Sequence, residues 1–388
     1  MAVLLVFPLA VANAQNSVER VLAEIEENNS ELAALRARVE ADKYSYKSAK
    51  ALDDPEFGFN YLWSSPDIGG RKDFAVTQTL DMAVLFGSKG RLAATRSEFA
   101  DMRYNVERQR VLLEAKTLLI ELVYCNRMRN ELSRRLEHSE GVCNAYLQMF
   151  ERGEVGRKEA NEARLALSSA RGEYSRNEIE RGNLQAELRR LNGGNEIVME
   201  MAEYESTPLL PKDFDTWYSE CAESSPVLAY VAQDVKVKEQ EMKTEKVANA
   251  PKLTAGYMSE LVKGSNFRGL TLGISIPLWS VKNNVRQAKA SYEASRLEQE
   301  DAVSQYYTRM RQLFDQATGL QEVLAGYLDS MEVAEESFAL NDERYSSGEI
   351  SLMEHLIELG LYYNIADQAL AAERDYQLAL ARLESFKL

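Results

Sequence analysis

One pattern runs twice through this chain, and it restricts the fold more than any single motif. Each copy reads helix, β-hairpin, very long helix, polar turn, shorter helix, and the copies keep an offset of 195 or 196 positions. The polar turns are the clearest pair. Arg344-Tyr345-Ser346-Ser347-Gly348-Glu349-Ile350-Ser351 has its twin in Arg152-Gly153-Glu154-Val155-Gly156-Arg157-Lys158-Glu159. Gly348 in a polar quartet is a helix-stop signal, and Ser351 followed three residues later by Glu354 is a capping-box start. Two helices therefore meet and reverse here. Elsewhere Glu31-Leu32 answers Val227-Leu228, and Pro55 answers Pro251.

The first copy spans 15–191: a helix from Asn16 to Lys50, a hairpin over 55–82, a long helix over 89–149, a tip over 151–158 and a helix to Leu191. The second spans 223–388, with a hairpin over 251–279, a long helix over 285–343, a tip over 344–351 and a helix over 352–388. Residues 192–222, with Pro208 and Pro211, read as a linker. In the first helix Leu22, Ile25, Leu32, Leu35 and Val39 recur at helical spacing, with Asn28-Asn29-Ser30 as an interruption. In the long helix Phe99, Val106, Leu113 and Ile120 recur every seven residues, as do Tyr104, Val111, Leu118, Cys125 and Leu132. Sixty residues of helix extend about 90 Å. Heptads sustained that far predict coiled-coil packing, and two stripes predict neighbours on both sides.

The hairpins change the period to two. Phe57, Phe59, Tyr61 and Trp63 share one face of the first strand, and Phe74, Val76, Leu80 and Met82 share one face of the second, with Gln78 the exception. Leu253, Ala255, Tyr257 and Leu261 alternate in the third, and Leu270, Leu272, Ile274, Ile276 and Leu278 in the fourth. The opposite faces are mostly Gly, Thr, Ser and Asn. Four strands cannot close a barrel, because about eight is the smallest. The apolar face then needs either helices packed on it or lipid, with closure by oligomerisation. The small polar opposite face and strands of about ten residues favour lipid around a wet lumen, and three chains would give twelve strands.

A net charge of −15 argues against a nucleic-acid partner. Met1–Ala14 is uncharged and mostly apolar and ends Ala12-Asn13-Ala14, which predicts a signal peptide over 1–14 and an exported mature chain. The basic n-region is missing, which points to a truncated start. No later run of 18 apolar residues offers a transmembrane helix. The three cysteines, Cys125, Cys143 and Cys221, form no disulfide framework, and none lies near Gln15 to take a lipid. No GxSxG, Walker loop or HExxH is present, so no enzyme is expected. His355 beside Glu354 and Glu358 is the one place to consider a metal; one histidine there and no nearby cysteine argue against it, and no metal or other cofactor is expected.

With these residues in view the chain resembles the TolC-type outer-membrane efflux protein family over nearly its whole mature length. The resemblance rests on the twofold repeat and on the helix starts Asn29-Ser30-x-Leu32 and Ser225-Pro226-x-Leu228. It also rests on Ile276-Pro277-Leu278, on Arg344-Tyr345-x-x-Gly348 before Leu352, and on Asp375-Tyr376-x-x-Ala379-x-x-Arg382-Leu383-Glu384. It implies a homotrimer whose twelve-stranded β-barrel crosses the outer membrane and whose helices form a periplasmic α-barrel. Phe57, Phe59, Tyr61, Trp63, Phe74, Val76, Leu270, Leu272 and Ile274 would face outer-membrane lipid.

The resemblance further implies that the tips dock a periplasmic adaptor fed by an inner-membrane pump. Arg152, Gly153, Glu154 and Val155 would form one docking tip, and Ser346, Ser347, Gly348 and Glu349 the other. Glu354 matches the family's acidic position after the tip glycine, where threefold symmetry makes a ring. The next acidic position is Ile357 here, with Glu358 beside it. Tyr345 and Glu159 match positions that hydrogen-bond between neighbouring hairpins in the closed state. The function implied is an exit duct for small molecules or ions. A duct for type I protein secretion stands as an alternative, and a soluble periplasmic coiled-coil scaffold is a reading from another class.

Overall fold

The computed structural model describes residues 9–63, 70–204, 210–276 and 281–388. Helices α1 (Leu9–Asn28) and α2 (Ser30–Ala49) lead into strands β1 (Glu56–Leu62) and β2 (Arg71–Leu80). A short α3 (Met82–Leu85), the long α4 (Ser88–Glu151) and α5 (Arg157–Leu191) complete the first copy. Then come α6 (Phe214–Ser224), α7 (Pro226–Ala248), β3 (Lys252–Val262), β4 (Ser265–Ser275), α8 (Val281–Ser346) and α9 (Leu352–Leu383). Met1–Pro8 of the expected leader, the loop residues 64–69, Pro208 and the Pro277–Trp279 end of the fourth strand lie outside the described residues. No described helix is long and apolar enough to cross a membrane.

The repeats are not the compact units. One unit comprises Met1–Ala33, Glu107–Ser224 and Tyr307–Leu388; the other comprises Ala34–Val106 and Ser225–Tyr306. Both copies contribute to each, because matching elements of the two copies pair with one another. The helix starts of the copies are capped alike. The Asn29 Oδ1 accepts from Leu32 N–H at 2.9 Å, and the Ser225 Oγ accepts from Leu228 N–H at 3.3 Å. Asn29 does a second job, since its Nδ2 donates to the Leu191 carbonyl at 2.9 Å and so ties down the end of α5.

The unit containing the strands holds one antiparallel sheet in the order β1-β2-β3-β4. The two hairpins join through β2 and β3, from Lys72 opposite Leu261 to Leu80 opposite Leu253. Register sets Phe57, Val76, Tyr257 and Leu270 in one row across all four strands. Phe59 and Phe74 face each other in the next row, and Leu272 and Ile274 continue the same face on β4. That face is uncovered in the chain: Leu270 is 85% exposed, Leu272 84% and Phe57 72%. Among the described residues no helix packs on it, which speaks against one of the two ways of covering these side chains. Val76 is half-buried and the other eight residues expected to face lipid are exposed. On the opposite, polar face Arg71 bridges Asp73 at 2.8 Å and Glu260 at 3.1 Å, which relieves the repulsion of two acids set directly across from each other.

Several strand limits differ from the sequence reading. Trp63 lies one residue beyond β1, and Met82 sits in α3, where the Asp81 carboxylate caps Ala83 N–H at 2.8 Å and stops the strand. The fourth strand begins at Ser265 rather than Gly269, because Lys263-Gly264 alone turn the chain and Val262 pairs with Ser265. The polar Ser265, Asn266 and Arg268 hid that pairing from a hydrophobicity pattern.

The other unit is helical. Along α4 the buried seam is Val111, Ala115, Leu119, Leu122 and Met128, while Leu113 and Ile120 of one expected heptad stripe are only half-buried. Met128, Leu132 and Leu370 form one core cluster with Tyr124 and Tyr174 against it, which joins α4, α5 and α9. Arg135, almost fully buried, reaches Asp367 with two hydrogen bonds at 3.0 and 2.6 Å and lies 4.2 Å from the Tyr363 ring centre. The expected linker holds α6, started by Asp213, whose carboxylate accepts from Thr216 N–H at 2.8 Å. Phe214, Trp217 and Cys221 bury the inner side of α6, and Phe214 and Trp217 pack on Phe314.

The close join of the two hairpins is testable at Gly256. A Cβ there would lie 2.5 Å from the Val76 carbonyl oxygen, so Gly256→Val forces β3 away from β2. Overpacking of this kind costs about 1–3 kcal/mol. Thermal unfolding in detergent should fall by several degrees, and an unchanged midpoint would show that β2 and β3 are not paired as described.

Candidate functional site

The site is the pair of helix reversals, all within the helical unit. Both helices stop in the same way. At the first tip Gly153 N–H donates to the Phe150 carbonyl at 3.0 Å, and Glu154 N–H to the Met149 carbonyl at 2.8 Å. At the second, Gly348 N–H donates to the Tyr345 carbonyl at 3.0 Å, and Glu349 N–H to the Arg344 carbonyl at 2.9 Å. The two glycines have φ of 75° and 78°. This is the Schellman stop, and it needs a left-handed residue that glycine supplies without a Cβ penalty.

The helices restart differently. At the second tip Ser351 Oγ accepts from Glu354 N–H at 3.3 Å, while Glu354 Oε2 accepts from Ser351 N–H at 2.8 Å. The capping box is complete. Hydrogen bonds from the Ser351 backbone and hydroxyl hold the exposed Glu354 carboxyl below its ordinary value. The first tip has Gly156 in place of a capping side chain. Glu159, at the position matching Glu354, keeps its Oε2 buried without a hydrogen-bond partner. Glu358 is exposed one turn beyond Glu354, next to an exposed Ile357.

Of the residues expected to dock an adaptor, Arg152, Gly153, Glu154, Ser346, Ser347, Gly348 and Glu349 are exposed, and Val155 is half-buried. Each tip carries its own ion pair, Arg152 with Glu154 at 3.3 Å and Arg344 with Glu349 at 3.7 Å. Exposed pairs of this kind add little stability.

Tyr345 does not meet Glu159 within the chain. Its hydroxyl lies 3.0 Å from the Tyr146 hydroxyl, which joins α8 to α4, and its ring stacks on His355 with centres 4.2 Å apart. Burial first, then the Tyr146 bond, push the Tyr345 phenol well above its usual range. His355 is fully buried, and its Nδ1 lies 2.7 Å from Asn341 Oδ1. His138 faces it from α4 at 6.3 Å between ring centres. Cys143, Ala163 and Leu352 form the apolar floor, packed by Tyr146, Tyr345 and Leu356. Tyr146, Asn341, His138 and Cys143 were not among the residues expected here. One signal was available: Leu352, His355 and Leu359 recur at helical spacing, which puts His355 on the inward face of α9. No group of three or more His, Cys, Asp or Glu among the described residues is placed to hold a metal ion.

Two substitutions separate the stop from the restart. Gly348→Ala places a Cβ at positive φ and should cost about 1–2 kcal/mol, and Ser351→Ala removes the cap at about 1 kcal/mol. Chemical denaturation, with hydrogen exchange of the amides around 345–355, should register both. Losses below a few tenths of a kcal/mol would refute this account of the turn.

Residues 217–386 match the family described as "Outer membrane efflux protein". No curated protein matches the chain in sequence. Solved structures match nearly its whole length. A membrane protein from Pseudomonas aeruginosa is 15% identical at a TM-score of 0.81, over 95% of this chain and 92% of that one. The Campylobacter jejuni CmeC outer membrane channel is 17% identical at 0.79, over 95% and 85%. The Vibrio cholerae outer membrane protein VceC is 12% identical at 0.78, over 98% and 99%. At these identities the likeness establishes the fold, and the family match covers residues 217–386, from within α6 to just beyond α9. The chain thus has the TolC-type channel fold of these structures, and its residues 217–386 match the outer membrane efflux protein family.

Proposed function

We propose that three copies of this chain form the outer-membrane exit duct of a tripartite efflux system. The duct would take small molecules or ions from an inner-membrane pump through a periplasmic adaptor. The observation that carries this reading is the sheet. It has four strands, an uncovered apolar face, a small polar opposite face, and outer edges on β1 and β4 that pair with no described strand. Unpaired backbone groups are not tolerated in the hydrocarbon of a bilayer, where no water can satisfy them. Setting β4 of one copy beside β1 of the next removes the edges, and three copies close twelve strands.

In that assembly Phe57, Phe59, Tyr61, Phe74, Val76, Leu270, Leu272 and Ile274 face lipid, and Trp63 sits at the end of β1 as a boundary aromatic. The Gly/Thr/Ser face lines the lumen. The two tips form the periplasmic mouth and meet the adaptor. Threefold repetition turns the exposed Glu354 and Glu358 into rings of negative charge that favour cations. Tyr345 and Glu159 hold the hairpins in the resting state.

Fractionation and cross-linking test the assembly: the protein should enter the outer membrane as a trimer and conduct in planar bilayers. Glu354→Gln keeps a capping-box side chain but removes the charge, so cation selectivity should fall. Tyr345→Phe should raise single-channel conductance by loosening the mouth. Recovery of the mature protein as a soluble periplasmic monomer would overturn the proposal.

A further inference from the structure

The chain has two histidines, and the fold brings them to one place. We propose that His355 is a proton-sensitive latch: neutral, it holds α8 against α4 through Tyr345, and protonated, it lets them part. The geometry is specific. His355 bonds Asn341 with Nδ1 at 2.7 Å, stacks on Tyr345 at 4.2 Å, and is wholly buried. Tyr345 in turn bonds Tyr146 across to α4 at 3.0 Å. The Nε2 of His355 is buried with no partner. With Asn341 Oδ1 as acceptor, Nδ1 carries the proton of the neutral ring. A second proton must then go to Nε2, where no acceptor waits for it.

The charged surroundings do not rescue that cation. From α8 Asp342 attracts it, and from α4 His138 opposes it. On α9 itself the Glu354 carboxylate is taken up by Ser351. The share of the cluster that α5 contributes is apolar, Ala163 and Leu167. The Tyr345 ring offers a cation–π contact, a weaker attraction than the hydration the ion loses. Burial first, against the pull of Asp342, holds the His355 imidazole below its ordinary 6.5. A released, hydrated His355 regains that ordinary value, so the released state binds more protons. The latch therefore holds fully above about pH 6.5 and weakens as pH falls through the window beneath it, by at most about tenfold per pH unit.

The latch stands on the tip geometry; only its effect on transport rests on the duct reading. Cys143, buried in the same cluster, reports on it directly. The full chain in detergent would be treated with 4,4′-dithiodipyridine, which reacts in acid, and each cysteine quantified by mass spectrometry. Burial pushes the Cys125 thiol up to about 11 and the Cys221 thiol up to about 12, so these two serve as unreactive standards. Between about pH 7.5 and pH 5.5 Cys143 labelling should rise at least about fivefold over them, and His355→Phe should abolish the rise. His138→Gln, at an exposed site, removes the opposing charge and should move the midpoint to higher pH. In planar bilayers open probability should rise over the same window. Flat Cys143 labelling, a response that survives His355→Phe, or an unmoved midpoint in His138→Gln overturns the latch. A Cys143 response without any channel current supports the latch and counts against the duct.

Discussion

Backbone hydrogen bonding at the sheet edges is the constraint on which the rest depends. A sheet of four strands leaves two rows of unpaired N–H and C=O groups, on β1 and β4. Water would satisfy them, but the same sheet presents Phe57, Phe59, Leu270 and Leu272 without cover. One face asks for an apolar medium, and the edges forbid that medium unless they are paired. Burying the apolar face contributes about 25 cal/mol per Å², and each unsatisfied backbone group in hydrocarbon costs several kcal/mol. In the proposed assembly both demands are met, because other copies supply the missing strands. The proposed oligomer thus rests on the chemistry of one chain's sheet before any symmetry is invoked.

The long helices serve a different demand. They contribute Schellman stops at both ends of the same pattern, and these are the most faithfully kept feature of the repeat. The restarts beyond the two stops have diverged. The second helix restarts from a complete capping box, and the first restarts from glycine with a carboxylate oxygen left unpartnered beside it. The tip is rigid on one side and less well satisfied on the other. Movement at such a pair of reversals is easier to begin on the less satisfied side, because fewer bonds must break.

Much of this was legible in the sequence. Period and punctuation gave the hairpins, the long helices and both reversals, since Gly153, Gly348 and Ser351 act through local backbone geometry alone. Alternation placed eight aromatic and aliphatic side chains on one sheet face because register preserves parity. Legibility ended where local chemistry did. Ser265, Asn266 and Arg268 form strand despite a polar pattern, because the Lys263-Gly264 turn sets their pairing. The linker's α6 depends on packing of Phe214 and Trp217 against Phe314, a contact about a hundred residues distant. At the tip, nothing near Tyr345 announces Tyr146, and nothing near His355 announces His138. The family position of Tyr345 was recognisable, and its partner within the chain, Tyr146, was not.

The cluster around His355 also dates itself relative to the duplication. At the offset of the tips, 348 minus 153 or 195, His355 corresponds to Ala160, Tyr345 to Phe150 and Asn341 to Tyr146. Tyr146 and Asn341 hold equivalent positions, so two identical copies could not have supplied both. The full set, Tyr146 bonded to Tyr345 and Asn341 bonded to His355, exists only because the halves differ at these positions. A chimera built from two second copies would keep every strand, stop and seam and still lack this cluster. The tip's chemistry is therefore younger than its architecture.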